Sequence, residues 1–118
     1  MDKAIFIVED EVMIRNLYVE MLEMNGFSVS SFPSGEEALE NWKKDVYKLI
    51  ICDLGLPGMD GWEFISRIRE HDSSIPIIVL TGWGNDIGAE HIKEFDVQKI
   101  LTKPVSLGQL METINVLC

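Results

Sequence analysis

At 118 residues and 47% hydrophobic, the chain can bury one core but not two, so it reads as a single globular domain over residues 1–118. Twenty acidic against 10 basic side chains leave a formal charge of −10, which disfavours binding to nucleic acid or an anionic membrane and favours a divalent cation or a basic protein partner. Cys52 and Cys118 make neither a disulfide framework nor a metal cluster, and the apolar run Ala4–Val8 is too short for a signal peptide or a membrane span, so the expected location is the reducing cytoplasm.

Ala4-Ile5-Phe6-Ile7-Val8 is a continuous β-rich run, the pattern of a strand buried on both faces of a parallel sheet, and it ends in Glu9-Asp10-Glu11. Ile14, Leu17, Met21 and Met24 then recur at three- and four-residue steps, one face of a helix that stops at Asn25-Gly26. A short second strand is expected over 27–32. Ser34 with Glu37 three residues later forms a capping box for a helix that carries Ala38, Leu39 and Trp42 inward.

The third strand, Leu49-Ile50-Ile51-Cys52, runs directly into Asp53 and a loop rich in glycine. Asp60 caps a helix that buries Phe64, Ile65 and Ile68, and Ser73-Ser74 with Pro76 ends the pattern. Ile77-Ile78-Val79-Leu80 is a fourth strand, terminated by Thr81-Gly82. A weaker, mostly polar helix is expected over 86–95, a fifth strand over 97–101, and a last helix capped at Ser106 with Leu110, Met111, Ile114 and Leu117 turned inward.

Strict alternation of five strands and five helices with short connections implies right-handed βαβ units, hence a parallel α/β sheet with helices on both faces. In a doubly wound sheet of order 2-1-3-4-5, the ligand crevice opens between the first and third strands. Glu9, Asp10 and Asp53 then converge. Two unit charges 4 Å apart at an effective dielectric of about 20 repel by roughly 4 kcal/mol, so a positive charge must sit among them. Mg²⁺ takes hard oxygen ligands: Asp10 and Asp53 directly, the Gly55 carbonyl as a third, and Glu9 through a coordinated water.

This arrangement suits phosphoryl transfer, in which catalysis is mainly positioning and charge stabilisation. Asp53 is the expected nucleophile, forming an aspartyl phosphate. Lys103, at the end of the fifth strand, and the Thr81 hydroxyl are placed to hold phosphoryl oxygens, with Gly82 leaving room beside Thr81.

Glu9-Asp10 after the first strand, Asp53-Leu54-Gly55-Leu56-Pro57-Gly58-Met59-Asp60-Gly61 after the third, Thr81-Gly82 after the fourth and Lys103-Pro104 after the fifth resemble the receiver domain of two-component response regulators over the whole chain. The resemblance implies a flavodoxin-like fold in which Asp53 accepts a phosphoryl group from a histidine kinase or a histidine phosphotransfer protein. It further implies that Glu9 and Asp10 bind Mg²⁺, that Thr81 is the switch hydroxyl, that Lys103 contacts the phosphate, and that the peptide bond before Pro104 is cis. A downstream effector protein or domain would read the switched surface, and family members often form homodimers through their last two strand–helix units. The chain departs from the family pattern at Ile100, where many members carry Tyr or Phe that turns inward with the switch hydroxyl. Bulky Trp83 is expected to shield the acyl phosphate, so that alanine there shortens its lifetime.

Taken singly, these features have plainer readings: a solvated lysine at 103, a strand-end hydroxyl at 81, an acidic first helical turn at 9–11. His71 and His91 are isolated and expected to ligate nothing; Trp42, Trp62 and Cys52 are expected to pack. Two other functions compete with the phosphoacceptor. A degenerate receiver would bind partners without being phosphorylated. A haloacid-dehalogenase-like phosphatase would need a second aspartate two residues past the nucleophile, where this chain has Gly55.

Overall fold

The computed structural model describes residues 4–82 and 89–117. Its elements alternate as expected: β1 (Ala4–Val8), α1 (Val12–Met24), β2 (Ser28–Phe32), α2 (Gly35–Glu40), β3 (Leu49–Asp53), α3 (Gly61–His71), β4 (Ile77–Thr81), α4 (Ala89–Glu94), β5 (Lys99–Thr102) and α5 (Leu107–Leu117). The strands form one parallel sheet in the order β2-β1-β3-β4-β5, so chain direction across the sheet reverses between β1 and β3.

The unbroken apolar runs predict burial on both faces, and β1, β3 and β4 are buried at every position. Alternate residues feed two cores. Phe6, Val8, Ile50, Cys52, Ile77 and Val79 face α2 and α3 through Ala38, Phe64, Ile65 and Ile68, with Ile92 of α4 against them. Ile5, Ile7, Leu49, Ile51, Ile78 and Leu80 face α1 and α5 through Tyr18, Leu22, Leu110 and Ile114. At about 1.5–3 kcal/mol per buried large aliphatic or aromatic side chain, these cores fix the strand ends that carry the site.

The caps act as read. Ser34 Oγ accepts from Glu37 N–H at 3.2 Å, Asp60 Oδ1 from Glu63 N–H at 2.9 Å, and Ser106 Oγ from Gln109 N–H at 3.0 Å. Each satisfies a backbone donor that the first helical turn leaves open.

Several expectations need correction. On α1 the buried face is Tyr18, Met21 and Leu22, while Leu17 and Met24 are 49% and 79% exposed. Trp42 lies beyond the end of α2, half-buried edge-on against Phe6. β2 starts one residue later than expected, and β5 spans Lys99–Thr102, with Gln98 just before it bonding Ile77 of β4 twice: its N–H donates to the Ile77 carbonyl at 3.1 Å and its Oε1 accepts from Ile77 N–H at 2.7 Å. Described α4 begins at Ala89; the earlier part of the helix expected over 86–95 lies outside the described residues, as do Trp83 and Cys118. Among the described residues no helix is long and apolar enough to cross a membrane.

Candidate functional site

Parallel register brings the acids together. Val8 pairs with Cys52, so the next residues, Glu9 and Asp53, leave the sheet side by side where the strand order reverses. One carboxylate oxygen from each of Glu9, Asp10 and Asp53 lies within 4.8 Å of the others. Hard oxygen donors at this spacing, two of them in nearly buried residues, fit a small divalent cation such as Mg²⁺.

Lys103 reaches into the same place from β5. Its Nζ donates to Asp53 Oδ2 at 2.7 Å and to Glu9 Oε1 at 3.3 Å. Burial works against its charge, but the hydrogen bond to Asp53 and the charges of Glu9 and Asp53 outweigh it and raise the ammonium above the ordinary lysine value. Glu9, only 1% exposed, moves the other way from its charge: burial first, and then the Asp53 carboxylate, push it up to about 7, although Glu11 N–H and Lys103 favour the ionised form. One lysine thus compensates two crowded carboxylates incompletely.

Asp53 Oδ1 accepts from Gly55 N–H at 3.0 Å, which ties the start of the loop to the carboxylate. Thr81 is buried at the end of β4, and its carbonyl accepts from Lys103 N–H at 2.7 Å. Asp10, Glu11, Asp53, Gly55, Thr81, Gly82 and Lys103 line one open cleft of about 190 Å³. Thus Asp10, Asp53, Gly55, Thr81 and Lys103 share the cleft, while Glu9 sits beneath it against Lys103. The Lys103–Pro104 peptide bond is cis.

The loop after β3 is shaped by glycine. A Cβ on Gly61 would lie 2.7 Å from both the Asp53 carbonyl oxygen and Leu54 Cα, so only glycine lets α3 start against the backbone of Asp53. Ile100 pairs with Val79 and is half-buried against the α3 side of the sheet. Near it a ring cluster joins α3 to the end of α4: Trp62 lies 5.1 Å from His91 and 6.3 Å from Phe95, centroid to centroid. His91 therefore sits in a ring stack, whereas His71 is exposed. Burial pushes the Cys52 thiol well above its ordinary value, with Asp53 adding to the effect, which leaves it an inert core residue.

Sequence reasoning missed two contributors. Glu11 N–H donates to Glu9 Oε2 at 3.2 Å, and Arg15 Nη1 donates to the Glu9 carbonyl at 2.9 Å. An arginine four residues after Glu11, in the first turns of the helix leaving the acidic run, was the available signal.

A five-stranded sheet of this order, with its cleft at the reversal point, places the chain in the CheY-like, flavodoxin-like class of α/β proteins. The sequence model of the response regulator receiver domain matches residues 5–115, and the chain belongs to that family. It is similar to sporulation initiation phosphotransferase F of Bacillus subtilis, 28% identical over 115 residues that cover 98% of this chain and 93% of that protein. Among solved structures, the chemotaxis protein CheY4 of Vibrio cholerae matches with a TM-score of 0.92 and 26% identity over all of both chains. The response regulator TrrA of Thermotoga maritima, in complex with Mg(2+)-BeF, matches with a TM-score of 0.87 and 29% identity over 98% of this chain and 99% of that one. Against other relatives, which are longer regulators, the chain spans only 24% to 50% of their length.

Proposed function

We propose that this receiver domain accepts a phosphoryl group on Asp53, with Mg²⁺, from a histidine kinase or a histidine phosphotransfer protein in a cytoplasmic phosphorelay. The observation that carries the reading is the Lys103 ammonium 2.7 Å from Asp53 Oδ2, in a cleft that also holds Asp10 and borders Glu9. An Asp53 oxygen attacks the phosphorus of a phosphohistidine; the new O–P bond forms as the N–P bond breaks, and the electron pair leaves with the imidazole nitrogen. Lys103 and Thr81, which both line the cleft, would hold phosphoryl oxygens. Glu9, Asp10, Asp53 and the Gly55 carbonyl would hold Mg²⁺, which when bound neutralises charge on the phosphoryl oxygens. A structural relative solved with Mg(2+)-BeF supports that choice of ion.

In this reading residues 1–118 act as one receiver unit that catalyses only its own phosphorylation and dephosphorylation. The phosphorylated state shifts the loops after β3 and β4 and the surface of the last two strand–helix units, where an effector, or a second copy in a homodimer, reads it.

The test is intact mass after incubation with Mg²⁺ and acetyl phosphate, beside Asp53→Asn. The expected result is one phosphoryl group on the wild type, none on the variant, and none with chelator. No gain in any sample, with a cognate kinase as donor as well, would leave a partner-binding module that is never phosphorylated.

A further inference from the structure

Arg15 is a basic residue that follows three consecutive acids, Glu9, Asp10 and Glu11, yet among the described residues it forms no ion pair with any of them. It holds the turn they make by its backbone instead. Its guanidinium Nη1 donates to the Glu9 carbonyl at 2.9 Å, while its own amide N–H donates to the Glu11 carbonyl at 2.8 Å. The two bonds bracket Asp10. The other side of the turn is fixed by Glu9 N–H, which donates to the Phe32 carbonyl at 3.0 Å, and by Glu11 N–H on Glu9 Oε2. Asp10 lines the cleft with its carboxylate close to those of Glu9 and Asp53, and among the described residues no hydrogen bond ties that carboxylate down.

We infer that Arg15 is a positioning residue for the cation pocket, bonding the Glu9 carbonyl so that the Asp10 carboxylate is held ready beside those of Glu9 and Asp53. The inference rests on the Mg²⁺ site of the proposed function. Groups that orient metal ligands without touching the metal typically change affinity by about 10–100-fold when removed. A restrained ligand also gives up less conformational freedom when the ion arrives.

The sign of the effect separates positioning from simple charge. Arg15 is a cation close to a cation site, so if it acted only through space its loss would tighten Mg²⁺ binding. Positioning predicts the reverse. Arg15→Met keeps most of the apolar stem, removes the donor and the charge together, and alters one half-buried side chain, so the fold is expected to persist. Arg15→Lys keeps a charged donor able to reach the carbonyl.

The experiment is calorimetric titration of the full chain with MgCl₂, for wild type, Arg15→Met and Arg15→Lys, with unfolding in EDTA recorded alongside. Arg15→Met should bind Mg²⁺ roughly tenfold more weakly, and Arg15→Lys should recover most of the loss. Equal or tighter binding by Arg15→Met, or equal weakening in both variants, overturns the positioning role. Absence of Mg²⁺ binding by the wild type is a separate result: it removes the proposed cation site, and this inference with it.

Discussion

Lys103 and Asp53 form the shortest ion pair among the described residues, 2.7 Å from Nζ to Oδ2, although 50 residues separate them in sequence. The same ammonium reaches Glu9 Oε1 at 3.3 Å, so one lysine faces two of the three clustered carboxylates.

Replacing Lys103 with methionine should therefore destabilise the protein most when no metal is present. Glu9 and Asp53 are both nearly buried, and an uncompensated charge there is costly. The expected loss in EDTA at pH 8 is about 2 kcal/mol, shrinking when Mg²⁺ is added and when pH is lowered so that Glu9 takes up a proton. Urea unfolding under the three conditions reads it. A loss independent of both Mg²⁺ and pH would place the effect in packing of the lysine stem.

The raised Glu9 carboxyl sets the pH dependence of the metal-free wild type. Its folded value of about 7 lies above the ordinary 4.5, so the folded state holds more protons than the unfolded one between those values. Stability in EDTA should fall as pH rises from 4.5 through 7 and level off above, by about 1–3 kcal/mol in all. Asp72 works in the opposite sense in a lower window. Burial of its carboxyl is outweighed by hydrogen bonds from Ser74 and Ile75, which hold it below its ordinary value of 3.8, so its contribution is present above that pH and lost only as pH falls below it. Glu9→Gln should flatten the slope between pH 5 and pH 7; an unchanged slope would assign it to another group.

Two glycines should respond in opposite directions to alanine. At Gly61 the added methyl meets the Asp53 carbonyl and Leu54 Cα at 2.7 Å, both backbone, so α3 or the end of β3 must move. A loss of about 2 kcal/mol is expected, with slower phosphorylation because Asp53 itself is displaced. At Gly108, in α5, nothing lies within 4 Å, and alanine should stabilise by about 0.5–1 kcal/mol. Thermal unfolding of both variants beside the wild type checks the pair.

Arg69 of α3 joins that helix to the end of α4. Its guanidinium donates to the carbonyls of Phe95 at 2.6 Å, Asp96 at 3.0 Å and Asp72 at 3.2 Å. Arg69→Gln should cost about 2 kcal/mol and raise amide exchange at Val97 and Gln98 more than in β1. Lysine should rescue little, since a single ammonium cannot reproduce the planar fork. Uniform acceleration of exchange across the sheet would mean global destabilisation instead.

The strands were legible because a parallel sheet covered on both faces demands continuous apolar runs, and Ala4–Val8, Leu49–Asp53 and Ile77–Thr81 have them. Asp53 and Thr81 could be picked out because each ends such a run, where the backbone opens to the crevice, and Lys103 because it follows the fifth strand at the same edge of the sheet. The face of α1 was less legible. Its sequence offers apolar residues around most of the helix, so periodicity admitted Leu17 and Met24, but docking on β1 and β3 selected Tyr18, Met21 and Leu22.

By itself, then, the sequence determined the alternation of elements, the caps at Ser34, Asp60 and Ser106, and the candidate side chains of the cleft, because these depend on local hydrogen bonding and on the spacing of apolar residues. Tertiary structure alone decided which charges meet. Lys103 settles between Glu9, 94 residues away, and Asp53, and Arg15 passes over three neighbouring carboxylates for one carbonyl oxygen. Such choices depend on strand register and helix docking to within about an ångström, and no local pattern in the chain encodes distances of that kind.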